Sequence, residues 1–344
     1  MATNTSINTI LLSDLIRTAI IVPIMDKYML IILYIFGIIG SLLNIITLLQ
    51  KQFRNNPCSL YFVSASITDF NIMNLVLFMD LLRYTNTKYF VYINSFTIWC
   101  QLGKYFTFVL PCLSSTYIIL ASIDRFSASS HRQKFRKFSQ IKVSRILIPL
   151  LFIIWILFSS HILILFYILP YTPISTYQCT YIRNLYIFYL IIDGYFFALF
   201  NGMIIPILLA IFGLLIYRNV EQSRRRTVPI RNTSINRIII SGSNPNLNRY
   251  NLHLITMLLI QSSLTIFLNI PYMTIYLNGF YNNAPTNQFT LIFYIIFTYM
   301  ARWFWFINYC KTFYLNTLSS KIFRKTLKQQ LINFIIWLKT IIII

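Results

Sequence analysis

The chain has 344 residues, of which 57% are hydrophobic and 10% are charged, and its mean hydropathy is +0.67. This composition excludes a soluble domain of that size, which needs far more polar surface, and it predicts an integral membrane protein. The net charge of +22 does not indicate nucleic-acid binding, because the Lys and Arg residues are distributed among the segments that join apolar runs.

Seven apolar runs follow one another along the chain, and each is long enough for a membrane helix of about 20 residues. They are too long for barrel strands of about 10 residues, and they do not alternate between polar and apolar positions. The sequence therefore predicts an all-α membrane protein, a seven-transmembrane-helix bundle. Spans 1 to 7 are predicted at 28–50, 58–82, 98–125, 145–169, 186–217, 250–277 and 288–315.

These spans divide the chain into three parts. Residues 1–27 are predicted to form an extracellular tail, residues 28–317 the membrane bundle, and residues 318–344 a short cytoplasmic amphipathic helix and tail. Lys and Arg concentrate after spans 1, 3, 5 and 7, and such residues favour cytoplasmic loops. The N-terminus is therefore predicted outside. Contact with anionic membrane lipids is the simplest use of the basic loops, and docking of a cytoplasmic partner is an additional use.

Three residues on the predicted outer side are candidates for covalent modification. Asn4 begins a glycosylation sequon, NTS. Cys100 lies at the outer end of span 3, and Cys179 lies in the loop between spans 4 and 5. Because the exterior is oxidising, a disulfide between these two cysteines is feasible.

The most specific motif is the triplet Asp124-Arg125-Phe126 at the end of span 3, and Cys100 precedes Arg125 by 25 residues. With seven spans and an outer N-terminus, the chain resembles the rhodopsin-like (class A) G-protein-coupled receptors. That family has Asp-Arg-Tyr at this place and a disulfide cysteine at this spacing, so Phe126 is a departure. The likeness covers residues 28–328 and is closest to the divergent invertebrate peptide-receptor-like group.

Further matches and departures occur along the spans. Asn269 stands where the family usually has Trp, and residues 312–316 lack the Pro and the Tyr of the family's Asn-Pro-x-x-Tyr. The residues that match the family in spans 1, 2, 4, 5 and 6 are Asn44, Asp69, Trp155, Pro206 and Pro271.

The resemblance implies a function. The chain is expected to be a plasma-membrane receptor that senses an extracellular ligand, a neuropeptide in the group it resembles, and that activates a heterotrimeric G protein. Asp124 would hold Arg125 at rest, and Arg125 and Phe126 would then take part in coupling to the G protein. Cys100 and Cys179 would form the family's disulfide.

Asp69 is the charged residue that the sequence places deep in the membrane, which makes it a functional candidate. In the family the matching residue binds sodium; Ser114 and Asn308 match two of its helpers, while Thr312 replaces a usual Asn. The alternative is a structural polar cluster, in which Asp69 ties spans 1, 2 and 7 together through Asn44. Apart from this candidate sodium ion, no cofactor and no metal is expected.

Comparison with the family also excludes two ligand classes. Phe306 stands where an opsin has its retinal-binding Lys, and Thr107 stands where an amine receptor has Asp. The charged and aromatic residues at the outer ends of the spans favour a peptide. The ligand-pocket candidates are Asp80, Lys104, Thr107, Tyr272 and Arg302.

Two other functions fit parts of the sequence. A transporter or channel of another seven-span type would fit the composition, although Asp69 is then the one charge expected deep in the membrane. A receptor-like protein that does not signal would fit the departures in spans 6 and 7. An enzyme is not expected, because His131, His161 and His253 are scattered and no nucleophile–base or metal constellation is visible.

Overall fold

The structure is a computed structural model that describes residues 2–51, 53–85, 87–130, 133–171, 176–226, 245–280, 285 and 287–343. Within these residues, seven helical segments are long and apolar enough to cross a membrane, which confirms the predicted number. Spans 1 to 7 of the structure are Ser13–Leu48, Pro57–Thr85, Thr97–Ser129, Ile141–Leu165, Arg183–Asn219, Leu258–Gly279 and Gln288–Ser319.

The helices in the first half of the chain are α1 Ala2–Leu48, α2 Pro57–Ile72, α3 Phe78–Thr85, α4 Thr87–Asn94, α5 Thr97–Ser129, α6 Gln133–Arg136, α7 Ile141–Phe158 and α8 His161–Leu165. A hairpin of β1 Phe166–Tyr171 and β2 Thr176–Tyr181 follows. The remaining helices are α9 Tyr186–Tyr189, α10 Phe197–Leu199, α11 Ile205–Arg226, α12 Pro245–Phe280, α13 Gln288–Ser319 and α14 Lys321–Ile343.

Span 1 differs most from its predicted bounds. The prediction began it at residue 28 and assigned residues 1–27 to a tail, whereas α1 is a continuous helix from Ala2 and the candidate span begins at Ser13. The stretch just before residue 28 includes TAIIVPIM, which is apolar enough to continue the membrane helix. As a result Asp26, which the prediction placed in the tail, lies inside the bundle and is fully buried.

The spans form a closed ring that includes span 3, and span 4 packs against spans 2 and 3. α1 packs against α2 and α13, α12 packs against α13 and α11, and α11 packs against α5, which also packs against α2. In the central helix α5, most residues from Tyr105 to Ser127 are buried. Large apolar side chains cover the outside of the bundle instead of polar ones; Leu157 and Leu214 are 66% and 65% exposed. A soluble protein rarely exposes such a surface, and a lipid bilayer covers it. The protein is thus an all-α, multi-pass membrane protein.

Spans 2 and 5 contain irregular turns that the sequence did not predict. A π-helical segment, Met73–Leu77, joins α2 to α3, and two more, Leu190–Phe196 and Phe200–Ile204, interrupt span 5 before Pro206. Each π turn inserts an extra residue and rotates the side chains that follow it. These turns therefore set which residues of spans 2 and 5 face the interior.

The hairpin β1–β2 covers the end of the bundle at which α5 begins, called the Cys100 end below. A disulfide joins Cys100 to Cys179, whose register partner in β1 is Ile168. Beside it, the Gln101 Nε2 donates a hydrogen bond of 3.0 Å to the carbonyl of Phe166. The disulfide and this hydrogen bond fix the hairpin to the first turns of span 3.

The opposite end, at which α5 terminates, is called the Arg125 end. Here α14 begins directly after span 7: Ser320 Oγ accepts a hydrogen bond from the Phe323 amide at 3.2 Å, and the Phe323 ring is fully buried near Phe53 and Phe313. Arg324 donates to the last carbonyls of α13, so the end of the helix is satisfied. The predicted helix after span 7 is present, and it runs to Ile343.

Candidate functional site

The Arg125 end contains a buried charge pair on the last turns of span 3. Asp124 and Arg125 are 2% and 3% exposed, and Arg125 Nη2 lies 2.6 Å from the Asp124 carboxylate. Ser139 donates a hydrogen bond of 2.7 Å to the other oxygen of Asp124. Phe126 packs against Phe212 of span 5, with ring centroids 5.9 Å apart. The predicted coupling residues thus lie together.

A residue that sequence analysis missed also binds Arg125. Asn56 precedes α2, and its side-chain oxygen caps the helix by accepting from the Cys58 amide at 3.0 Å. The same oxygen accepts a hydrogen bond of 2.7 Å from Arg125 Nη2. The sequence NNPC marks Asn56 as a helix cap before Pro57, but its contact with span 3 is a tertiary feature with no local signal.

The predicted polar cluster in the middle of the bundle is divided into two parts. Asp69 accepts a hydrogen bond of 2.6 Å from Ser114, as the matched positions suggested. Asn44 lies elsewhere in the cluster: it donates to Ser66 at 2.6 Å and accepts from Asn316 at 3.0 Å. The expected link between Asp69 and Asn44 is therefore not a direct hydrogen bond among those described, although both side chains are buried.

A second buried charge, Lys311 of span 7, lies in this region, and sequence analysis did not consider it. Lys311 is 7% exposed, and its ammonium donates to the backbone oxygen of Asn308 at 2.7 Å and to the Asn308 side-chain oxygen. The charges of Lys311 and Asp69 interact electrostatically. The expectation that Asp69 is the one charge deep in the membrane is therefore wrong. The visible signal was a single Lys inside the apolar run NYCKTFYL.

This arrangement does not fit the sodium ion that the resemblance suggested at Asp69. A cation there would need several oxygen ligands and no competing positive charge. The side-chain oxygen of Asn308, one of the matched helpers, already accepts from the Lys311 ammonium. Since Lys311 also places a positive charge near the carboxylate, we assign no sodium ion to Asp69.

At the Cys100 end, Arg302 of span 7 is the centre of a third polar group. Its guanidinium forms an ion pair with Asp26 of span 1, and its Nη1 lies 4.0 Å from the Asp80 carboxylate. Tyr84 bonds Arg302 at 3.2 Å, and Trp303 donates to Asp26 at 2.7 Å. The sequence predicted that Arg302 and Asp80 face one space, and they do approach one another. It missed Asp26, the closer partner, because it began span 1 too late.

Beside this group, a cavity of about 160 Å³ lies between spans 3, 5 and 6, beneath the hairpin. It contains three of the ligand-pocket candidates, Lys104, Thr107 and Tyr272, whereas Asp80 and Arg302 lie outside its lining. Its other lining residues are Phe108, Ile162, Phe166, Tyr189, Asp193, Phe197 and Tyr276. The space thus combines aromatic walls with one basic and one acidic side chain.

Asp193 is a pocket residue that the predicted set of ligand residues lacked. It is 3% exposed, lies on the π-helical turn of span 5, and its carboxylate is 3.0 Å from the His161 Nε2. Tyr276 donates a hydrogen bond of 2.7 Å to its backbone oxygen.

The predicted glycosylation site, Asn4, is among the residues whose side chains the structure does not describe.

In comparisons with known proteins, no protein-family model matches the chain, and no curated protein matches it.

Proposed function

We propose that this protein is a rhodopsin-like G-protein-coupled receptor that senses an extracellular peptide, such as a neuropeptide, and activates a heterotrimeric G protein. The observation that carries the proposal is the buried group of Asp124, Arg125 and Asn56 at the end of the central helix. Arg125 bonds both the adjacent Asp124 and the neutral Asn56 beside a neighbouring helix. When the helices move apart, Arg125 can exchange its bond with Asn56 for another partner. Such a group is suited to a two-state element at a cytoplasmic surface.

In this proposal the resting state is the one in which Arg125 bonds Asp124 and Asn56. Ligand binding at the Cys100 end favours a state in which the Arg125 end opens and the guanidinium is released toward the G protein. A ligand shifts the equilibrium only by its difference in affinity for the two states. The continuous central helix α5, which contributes to both ends, is the element that both sites contact.

The cavity supports a ligand with charged and aromatic groups. Lys104 and Asp193 offer one charge of each sign, and Tyr272 and Tyr276 offer aromatic surface. A volume of about 160 Å³ accepts the end of a peptide and not a whole peptide, so the rest would lie against the hairpin. The location in the plasma membrane and the outer N-terminus are part of the same proposal, and the basic segments at the Arg125 end support that orientation.

The test is guanine-nucleotide exchange on G proteins in membranes that contain the full chain, screened with a peptide library. A peptide that stimulates exchange through the intact protein, and not through Arg125→Ala at equal surface expression, would support the proposal. Arg145→Ala, which changes an exposed arginine near the start of α7 at the same end, is the matched control and should retain the response. Exchange that is unaffected by Arg125→Ala would contradict the proposed role of the charge pair.

A transporter is the second candidate, and a specific observation favours it. Lys311 and Asp26 are buried in membrane spans together with Asp69, and buried charges in membrane proteins often lie on ion or proton pathways. Uptake of a solute or an ion current in vesicles that contain the purified chain, without nucleotide exchange, would replace the receptor proposal by this one.

A further inference from the structure

Two buried groups of opposite charge lie on different membrane spans in the middle of the bundle. Asp69 belongs to span 2 and is 2% exposed, and Lys311 belongs to span 7 and is 7% exposed. Neither could stay charged in a low-dielectric interior without compensation, because the loss of hydration is costly. Each charge therefore needs a compensating group inside the bundle.

The hydrogen bonds around the two groups hold each of them in a fixed position. Ser114 of span 3 donates to Asp69 at 2.6 Å. Lys311 donates to Asn308, whose amide in turn donates to Asn269 of span 6 at 3.1 Å. One group of bonds thereby connects spans 2 and 3, and the other connects spans 6 and 7.

The ammonium of Lys311 does not touch the carboxylate of Asp69. It bonds Asn308, one turn earlier on its own helix, and its charge acts on Asp69 through the protein interior. Electrostatic interaction between separated charges is strong where water is excluded, so direct contact is not required. Neutralising Asp69 requires one positive charge, and Lys311 supplies one.

We propose that Lys311 is an internal counter-ion for Asp69 that joins spans 2 and 7, so that the bundle is stable without a bound sodium ion. The proposal is independent of receptor function, because it concerns the folded bundle alone. It predicts that an added sodium ion has no site to fill in the native chain, whereas removal of the ammonium leaves Asp69 as a carboxylate that a cation could neutralise.

The experiment measures thermal unfolding of the purified full chain in lipid nanodiscs, in 150 mM NaCl or in 150 mM choline chloride, where the ionic strength is equal. The unfolding midpoint of the native chain should be the same in both salts. Lys311→Met should lower it by roughly 5 °C or more in choline chloride, since one buried charge is left unpaired. Sodium should restore part of that loss. Lys321→Met, an exposed lysine on α14, is the matched control and should change neither value.

A second variant keeps the test decisive if Lys311→Met does not fold. Asp69→Asn combined with Lys311→Met removes both charges and should be more stable than either single variant, because no unpaired charge remains. Stabilisation of the native chain by sodium over choline would overturn the proposal. A double variant that loses as much as the two single variants together would overturn it as well. None of these measurements uses a ligand or a G protein, so they separate this proposal from the proposed function.

Discussion

Arg125 is held by residues on two different helices, and the contribution of each can be separated. Asp124 is adjacent in the chain, so it moves with Arg125 when span 3 rotates. Asn56 is anchored on α2, so its bond with Arg125 breaks when spans 2 and 3 separate. For that reason Asn56, and not Asp124, is the partner whose loss should most affect the balance between resting and active states.

We expect Asn56→Ala to raise signalling in the absence of ligand. A hydrogen bond to a charged group contributes about 1.5 kcal/mol, and its loss from the resting state alone corresponds to roughly a tenfold shift toward the active state. The measurement is basal nucleotide exchange, normalised to surface expression.

Asn56→Ser separates the two roles of this residue. Serine caps a helix as well as Asn does, but its side chain is too short to reach Arg125 as well. If basal nucleotide exchange rises in both variants, the lost bond to Arg125 is the cause. If exchange rises in Asn56→Ala alone, the lost cap of α2 is responsible. Unchanged exchange in both variants would refute the proposed restraint.

Asp26 and Asp80 allow a matched comparison at the Cys100 end. Asp26 is fully buried and forms the ion pair with Arg302, whereas Asp80 is more exposed and lies at 4.0 Å. We expect Asp26→Ala to reduce surface expression strongly, since removal of one partner from a buried pair costs about 3–5 kcal/mol. Asp80→Ala should have little effect on expression. Quantitative surface labelling checks this, and equal losses in the two variants would show that Arg302 pairs with both acids alike.

Sequence analysis missed two buried charges, each for a different reason. Asp26 was lost because apolar runs do not show where a membrane helix begins, and the run before residue 28 was read as a tail. Lys311 was overlooked because a single charge near the end of a span usually reaches the membrane surface. The pairs Asp69–Ser114 and Cys100–Cys179, by contrast, could be predicted from matched positions, because each depends only on which spans are neighbours.

At the scale of helices, spans 1, 2 and 7 pack closely together at Gly37. A Cβ atom at this position would lie 2.6 Å from the Met73 sulfur and 3.0 Å from the Cys310 sulfur. The absence of a side chain therefore lets α1 approach both neighbours. Packing in a membrane bundle depends on such close approaches, because lipid provides no hydrophobic force between helices.

We predict that Gly37→Ala lowers the free energy of unfolding by about 1–3 kcal/mol, because it overpacks this contact. Gly103 in α5 is the control, since a Cβ atom there would meet nothing within 4 Å, and Gly103→Ala should be neutral or slightly stabilising. Thermal unfolding in nanodiscs measures both. An unchanged midpoint for Gly37→Ala would mean that Met73 moves aside without cost.

The helices themselves were largely predictable, and the irregular turns were not. Long apolar runs determine the number of spans, and six of the seven predicted spans begin within about eight residues of the described ones. The π turns at Met73–Leu77 and Leu190–Phe196 have no established sequence signature and arise from packing. Asp193 lies on one of these turns and lines the cavity, so the local backbone that presents it was not predictable.

At the scale of the whole molecule, orientation connects the fold to the proposed function. The Arg125 end must face the cytoplasm if it is to contact a G protein, and the Cys100 end must face the exterior if its disulfide is to form in an oxidising environment. The distribution of Lys and Arg favours the same orientation. These are separate physical reasons, and one measurement tests their common consequence.

All five cysteines of the native chain are protected, which provides a clean background for that measurement. Cys100 and Cys179 are bonded to each other, and Cys58, Cys112 and Cys310 are buried. We expect the native chain in intact cells to react little with a membrane-impermeant maleimide. Strong labelling of the native chain without reductant would show that the disulfide is absent or that a buried cysteine is accessible.

Two exposed lysines, one at each end of the bundle, then report which side faces out. Lys88 lies in α4 at the Cys100 end, and Lys134 lies in α6 at the Arg125 end. Lys88→Cys should be labelled in intact cells, and Lys134→Cys only after the membrane is permeabilised, because the basic segments keep the Arg125 end in the cytoplasm. Labelling of Lys134→Cys in intact cells, with Lys88→Cys protected, would show that the protein has the opposite orientation in the membrane. That result would place Arg125 outside, where no G protein could reach it, and would leave the transporter as the better explanation of the buried charges.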